Sequence, residues 1–331
     1  MFRLQSLVLI VLSIATISRA QSSAPAQAGV SGSDLAAASS VRNSWYRIAP
    51  ANTKAAKQLP SSTLTNKHLN SVPKLPQPGF YPADLVYHGG PVITSAEHNE
   101  VYVNCPASCW GTPSTFLKNL NASAFIHLTD QYVGTTAGNR YPVGPSVFIN
   151  QSMQTNVLYE NDILSILHAA AVKLSVANSY NNIIHIFLPQ GVDTCFDLTN
   201  LCYSPDNPPT FAFCAYHGTV MFSDIGHILY TVEPYQNVPG CQVASPSPNG
   251  LLVDSTASVL SHEIFETLTD PDLDAWWSDV SLLEQFAEIG DICEPVGNSM
   301  AQFLAPTFIV NGKKYEIQTE YSNKYHGCTH L

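Results

Sequence analysis

Positive charge is scarce in this chain: 14 lysines and arginines face 25 aspartates and glutamates in 331 residues, a formal charge of −11. That balance argues against nucleic acid and anionic membrane as partners, because either surface would repel the protein. Charge of both signs is thin, at 12% of residues, so a local concentration of acids stands out. A long apolar run is also missing. The stretch Leu7 to Ile17 is about half of the roughly 20 residues that cross a bilayer, and no later stretch comes close, so no membrane span is expected. No nucleophile elbow, phosphate-cradling glycine loop, dinucleotide fingerprint or fixed-period repeat occurs, which leaves those chemistries without a sequence basis. The cysteines lack the CxxC…CxxC spacing of a zinc cluster.

What is present begins with a leader. Residues 1–20 carry the basic Arg3, the apolar run, and Ser18 and Ala20 at the spacing read by signal peptidase, so cleavage is expected after Ala20 and the protein is expected to be secreted. Without the leader, 12 basic residues face 25 acidic ones, a formal charge of −13. Eight cysteines behind a leader read as disulfides. The simplest scheme joins nearest neighbours: Cys105–Cys109, Cys195–Cys202, Cys214–Cys241 and Cys293–Cys328. Spacing alone leaves other pairings open. Two sequons, at Asn121 and Asn150, are expected on the surface and able to carry glycans. Residues 21–78 are rich in Ser, Ala, Pro, Asn and Lys without periodicity and read as a flexible linker or pro-segment. A single domain then occupies 79–331.

Within it, residues 101–104 and 123–133 read as strands, with a short helix over 113–120 between them. An apolar helical face spans 161–175, a buried strand 182–190, and a hairpin 211–222 with 227–232. A long helix follows over 254–268, and a hairpin turns at Asn311-Gly312. The fold class is therefore α/β: a single mixed β-sheet with packed helices, stapled by disulfides.

The long helix runs into SHEIFETLTDPDLDAWW, residues 261–277, which holds one histidine and five carboxylates. Asp254 or Ser255 is the expected N-cap, and Pro271 stops the helix near Thr269 or Asp270. His262 and Glu266 are four apart and stack on one face, with Glu263 beside them and Ile264 nearly opposite. This is the layout of an HExxH zinc helix with Glu in place of the second histidine, a zincin-like and specifically metzincin-like pattern. His262 and Glu266 are the expected ligands, and Glu263 is the base that takes a proton from water at the ion. Asp272, ten positions after His262, has the spacing of a metzincin third ligand. Glu288 and Asp291 in EIGDIC compete for that role, and Met300 stands where a Met-turn would lie. Zn²⁺ is the expected cofactor. Asp270, Asp272 and Asp274 alternate as DxDxD, which suits Ca²⁺ as the alternative. His217 in CAYHG is a further possible ligand or substrate contact, with a structural role the commoner fate of such a residue. Alternatively, the acids are a solvated helix face without a metal.

Four separated stretches, VYHGGPVIT, FCAYHG, SHEIFETLTDPDLDAWW with GDIC, and VNGKKYEIQTEYSNKYHGC, together resemble the phosphate-induced protein 1 family, whose plant members are called EXORDIUM proteins. The likeness spans roughly residues 84–331. It implies a secreted or cell-wall-associated protein, in plants connected with growth responses and without an established activity. Plant relatives have an apolar, small-residue segment in place of SHEIFET, whereas microbial relatives keep the His and acids. The resemblance thus implies a function special to this branch, with an extracellular protein or cell-wall component as partner. It also supports pairing Cys293 with Cys328.

Overall fold

Alternation along the strands organises the molecule, because successive side chains of a strand point to opposite faces of its sheet. The computed structural model describes residues 38–46, 81–153, 155–196, 201–244, 246–278, 288–293 and 307–331. The leader, most of the 21–78 segment and Met300 lie outside the described residues. Six strands form the main sheet: β1 (Ala38–Tyr46), β2 (Glu97–Val103), β3 (Val147–Ile149), β4 (Asn182–Phe187), β5 (Ala215–Phe222) and β6 (Gly226–Glu233). Their spatial order is β1-β5-β6-β4-β2-β3. The pairs β1/β5 and β5/β6 are antiparallel, and β6/β4, β4/β2 and β2/β3 are parallel, so the sheet is mixed.

Among the described residues three longer helices accompany it: α1 (Pro113–Asn121), α2 (Glu160–Leu174) and α3 (Leu251–Thr269). On one face, Ile163, Ile166, Leu167 and Ala170 of α2 pack on Val101, Ile184, Ile186, Tyr230 and Val232. On the other, Leu260, Ile264, Phe265 and Leu268 of α3 pack on Tyr102, Ile183, Phe187 and Leu229. Each buried Leu, Ile, Val or Phe among them stabilises the fold by about 1.5–3 kcal/mol, so the sheet is held from both sides. The face towards α3 is not uniformly apolar. His98, Glu100, His185, His217, Thr219, Thr231 and Glu233 are all buried, and they occupy the alternate positions that share that face.

The four disulfides join Cys105–Cys109, Cys195–Cys202, Cys214–Cys241 and Cys293–Cys328, the nearest-neighbour scheme. The C-terminal hairpin is also as expected: β7 (Thr307–Val310) and β8 (Lys313–Glu316) turn through Asn311 at φ 49° and Gly312 at φ 79°, both positive as a tight type I′ connection demands. Strands β9 (Glu320–Ser322) and β10 (Gly327–Thr329) follow.

Three expectations are corrected. Residues 123–133 are not a strand: Phe125–Thr129 is a 3₁₀ helix and Asp130–Val133 a single α turn. Local polar groups compete successfully with a ladder here. The Ser123 hydroxyl accepts from the Ile126 N–H, the Thr129 hydroxyl donates to the Ile126 carbonyl, and His127 pairs with Asp130. The helical turn also brings Phe125 to 4.6 Å from Phe265, ring centre to ring centre. Second, the expected linker contains β1, an edge strand paired along β5 from Ala38 to Tyr46. Third, α3 begins one turn early, with Gly250 at its N-cap. Asp254 lies inside the helix, where its carboxylate accepts from the backbone N–H and side-chain amide of Asn249 at 2.9 and 2.7 Å.

Asn150 is exposed and Asn121 half-buried, the latter with its side-chain oxygen accepting from the Tyr141 N–H.

Candidate metal centre

Helix α3 sets His262 and Glu266 one turn apart, and the side chains meet: Nε2 of His262 is 3.0 Å from Oε1 of Glu266. The second oxygen of Glu266, Oε2, lies 3.6 Å from Nε2 of His217 on β5. One carboxylate thus stands between two imidazoles. Each imidazole faces another acid. Glu288 Oε1 is 3.3 Å from His217 Nε2, and Asp291 Oδ1 is 3.9 Å from His262 Nε2. Ligand atoms of His217, Glu266 and Glu288 lie within 4.8 Å of one another, as do those of His262, Glu266 and Asp291. Donors about 2.0–2.4 Å from one ion stand no further apart than about 4.8 Å, so both sets are the size of a cation site.

One link ties the 288–293 segment to α3, and two tie it to the C-terminal strands. The Asp291 N–H donates to Glu266 Oε1 at 3.3 Å, the Tyr321 N–H donates to the Ile289 carbonyl at 2.9 Å, and Cys293 is bonded to Cys328. Disulfide and strand together bring a sequence-distant pair of acids to the helix.

The donor atoms fit a cation. His262, Glu263, Glu266 and Glu320 are 0% exposed. Both oxygens of Glu263, both of Glu320 and Oε2 of Glu266 have no hydrogen-bond partner among the described residues. A buried ionised carboxylate without compensation costs several kcal/mol, and a bound cation removes that cost. Electrostatics points the same way. Burial pushes the carboxyls of Glu263, Glu266 and Glu320 well above the ordinary range, and the crowding of like charges adds to it: Glu266 acts on Glu263 and Glu320, and Glu288 on Glu266. Burial, then Glu266, raises Asp291 to about 7. Burial lowers His262 to about 3 against the pull of Asp291, and lowers His217 against Glu266 and Asp270. The imidazoles are therefore neutral, the form that ligates a metal.

A polar row crosses the sheet beneath this cluster. His217, Thr231 and His185 are register partners across β5, β6 and β4, and Glu100 of β2 continues the row. His98 Nδ1 is 2.8 Å from His185 Nε2, His185 Nδ1 is 2.9 Å from the Thr231 hydroxyl, and that hydroxyl donates to Glu233 at 2.8 Å. With Thr231 donating to Glu233 it accepts from His185, which fixes the direction of both rings. Burial raises Glu233 to about 8, and its charge bears on Glu263.

The structure brings together His262, Glu266, Glu288, Asp291 and His217, with Glu263 adjoining. It does not bring Asp272 to them. Asp272 accepts from His227 Nε2 at 2.9 Å and from the Tyr180 hydroxyl. Burial raises its carboxyl, but these hydrogen bonds outweigh it and hold the group below the usual range. The reason is the turn after Pro271: Asp270 caps it by accepting the Asp274 and Ala275 N–H groups on Oδ1 at 2.7 and 2.6 Å, and Leu273 adopts φ 58°. Asp272 is thereby swung towards β6. For the same reason Asp270, Asp272 and Asp274 form no cation-sized group among the described residues. The acids of α3 are also not a solvated face, since Glu263 and Glu266 are fully buried.

Sequence reasoning missed Glu320 and Glu233. A signal existed for the second: in HILYTVE, residues 227–233, His, Thr and Glu share one face of a strand that a helix covers. A cleft of about 380 Å³ between α1 and the start of α3, lined by Trp110, Phe116, Asn249 and Tyr315 among others, holds none of the cluster.

No family model, curated protein or solved structure matches the chain.

Proposed function

We propose that this chain is a secreted metal-dependent hydrolase of the phosphate-induced protein 1 / EXORDIUM-like type, with a zincin-like site on α3 and a peptide bond of an extracellular or cell-wall protein as substrate. Four disulfides support export, since such bonds persist in oxidising compartments. Among the described residues no helix is long and apolar enough to cross a membrane. The stretches that carry the family resemblance, far apart in sequence, meet around α3. Val86–Tyr87 pairs with Trp276–Trp277, His88 stacks on Trp277 at 3.5 Å, His217 faces Glu266, and Cys328 is bonded to Cys293.

One observation carries the hydrolase reading: the Glu266 carboxylate between His262 and His217, with Glu263 buried beside it and without a hydrogen-bond partner among the described residues. His262, Glu266 and Asp291 would hold a divalent cation, Zn²⁺ by analogy of the helix motif. Such an ion supplies Lewis acidity, acidifying water and polarising a carbonyl. Glu263 takes the proton from water and returns it to the leaving amine. Burial and then Glu266 raise its proton affinity, so it holds the proton more readily than an ordinary carboxylate before passing it to the amine. Asp291 orients Glu266 through its N–H, and the charge of Glu233 adds to that of Glu266 at Glu263.

A second reading, a non-catalytic matrix or signalling protein with a structural Ca²⁺, draws on the depth of the site. Its helix residues are 0% exposed, and solvent reaches the cluster beside Asp291, whose side chain is 20% exposed. The two separate on one comparison. Protein purified without chelator should contain a transition-metal dication and cleave a mixed peptide library, and Glu263→Gln should keep the metal and lose cleavage. Calcium in both proteins with no cleavage by either favours the second reading.

A further inference from the structure

We propose that the cluster is a dinuclear centre, in which Glu266 bridges two divalent cations of the manganese class. The inference deepens the metal reading above and does not depend on the hydrolase reading.

The geometry separates two sets of donors. His262 with Asp291, and His217 with Glu288, each form a cation-sized group with Glu266, and Glu266 is the residue the two groups share. Its oxygens are divided between them, Oε1 towards His262 at 3.0 Å and Oε2 towards His217 at 3.6 Å. A carboxylate that offers one oxygen to each of two neighbouring groups is disposed as a bridge. Each half is then one imidazole, one terminal carboxylate and one bridging oxygen.

Charge supports the count. Glu320 is fully buried, both its oxygens lack a hydrogen-bond partner among the described residues, and it feels the charges of Glu266 and Asp291. With Glu266, Glu288, Asp291 and Glu320 ionised, a single dication would leave excess negative charge in a site of low dielectric. Two dications offset more of this charge than one. Uncompensated buried charge costs several kcal/mol per ion, so a second cation lowers the cost of burying these acids.

Donor chemistry sets the metal class. Carboxylate oxygen dominates and no thiolate takes part, all described cysteines being in disulfides. Oxygen-rich sites with one imidazole per ion suit manganese better than the histidine- and thiolate-rich sites typical of zinc.

The test uses the full secreted chain, stripped with chelator and titrated with Mn²⁺ alone. Calorimetry should count two Mn²⁺ per chain, and electron paramagnetic resonance should show the exchange-coupled spectrum of a pair. Glu288→Gln should reduce the count to one and restore the hyperfine sextet of an isolated ion, while Glu266→Gln should weaken binding at least tenfold. One Mn²⁺ per unmodified chain with an uncoupled sextet, or no bound Mn²⁺, overturns the proposal. The count on unmodified protein decides even where a variant misfolds. Peptide hydrolysis with one ion per chain would keep the hydrolase and discard the bridge; two coupled ions without hydrolysis would do the reverse.

Discussion

Gly290 packs directly against the ring of His262. A Cβ at position 290 would stand 2.4 Å from Nδ1 and 2.6 Å from Cε1 of the imidazole, well inside van der Waals contact. The peptide after Glu288 is therefore a wall that holds the ligand ring in place, with the Gly290 carbonyl accepting from the Gln318 amide at 2.6 Å. Gly290→Ala must displace either the ring or the acidic turn. Outer supports of this kind typically account for about 10–100-fold in metal affinity. We expect a loss of that size, measured by calorimetric titration, with the four disulfides still formed.

Glu263 separates binding from chemistry. Its oxygens lack hydrogen-bond partners among the described residues and it belongs to neither cation-sized group. Glu263→Gln should leave the metal content unchanged and lower the hydrolysis rate by about 10²–10⁴-fold, the usual scale for a general base. Parallel metal analysis and peptide-cleavage assays check it; equal loss of metal and rate would make Glu263 a ligand.

Asp272 is a tether, with its carboxylate held by His227 and the Tyr180 hydroxyl. Asp272→Asn should leave metal stoichiometry intact and lower stability by roughly 1.5–3 kcal/mol, the range for a charged hydrogen bond. Denaturant titration with metal analysis checks both halves.

These cases show how far sequence carried the site. Helical spacing placed His262 and Glu266 together because an i,i+4 relation is a property of the backbone alone. The acids of EIGDIC were visible as candidates, yet their approach depends on the Cys293–Cys328 bond and the β9 pairing, which join distant segments. The error at Asp272 came from counting residues across Pro271, where the Asp270 cap redirects the chain. Glu320 was hidden because its burial is a tertiary fact: QTEYS reads as an ordinary polar strand end. The 123–133 segment misled for a related reason. Its apolar residues fit a strand as well as a tight helix, and Ser123 and Thr129 decided the matter through local bonds.

Acid should destabilise the protein through the histidines under the sheet. Burial lowers His98 to about 3, and burial with His98 lowers His185 well below its ordinary 6.5. His185 stands across from Glu100, whose carboxyl accepts from the Tyr102 hydroxyl, and His98 lies beside Tyr141. Both rings are neutral when folded and take up protons on unfolding below about pH 6.5. The unfolded chain then binds more protons, so stability falls as pH falls, by about 1.4 kcal/mol per unit for each histidine. The raised carboxyls of the cluster act in the opposite sense in cation-free protein, losing stability as pH rises above about 4.5. The difference between unmodified protein and His185→Gln isolates the histidine: as pH falls below about 6.5 the variant should lose less stability than unmodified protein, measured by urea titration. Parallel curves would refute this account.

The most direct test of the central claim is to locate the ion. Crystals of the full chain grown with Mn²⁺ or Zn²⁺ should show anomalous density about 2 Å from Glu266 and from the Nε2 atoms of His262 and His217. Density confined to other sites, with Glu266 and Glu320 solvated or paired only with protein donors, would contradict the account.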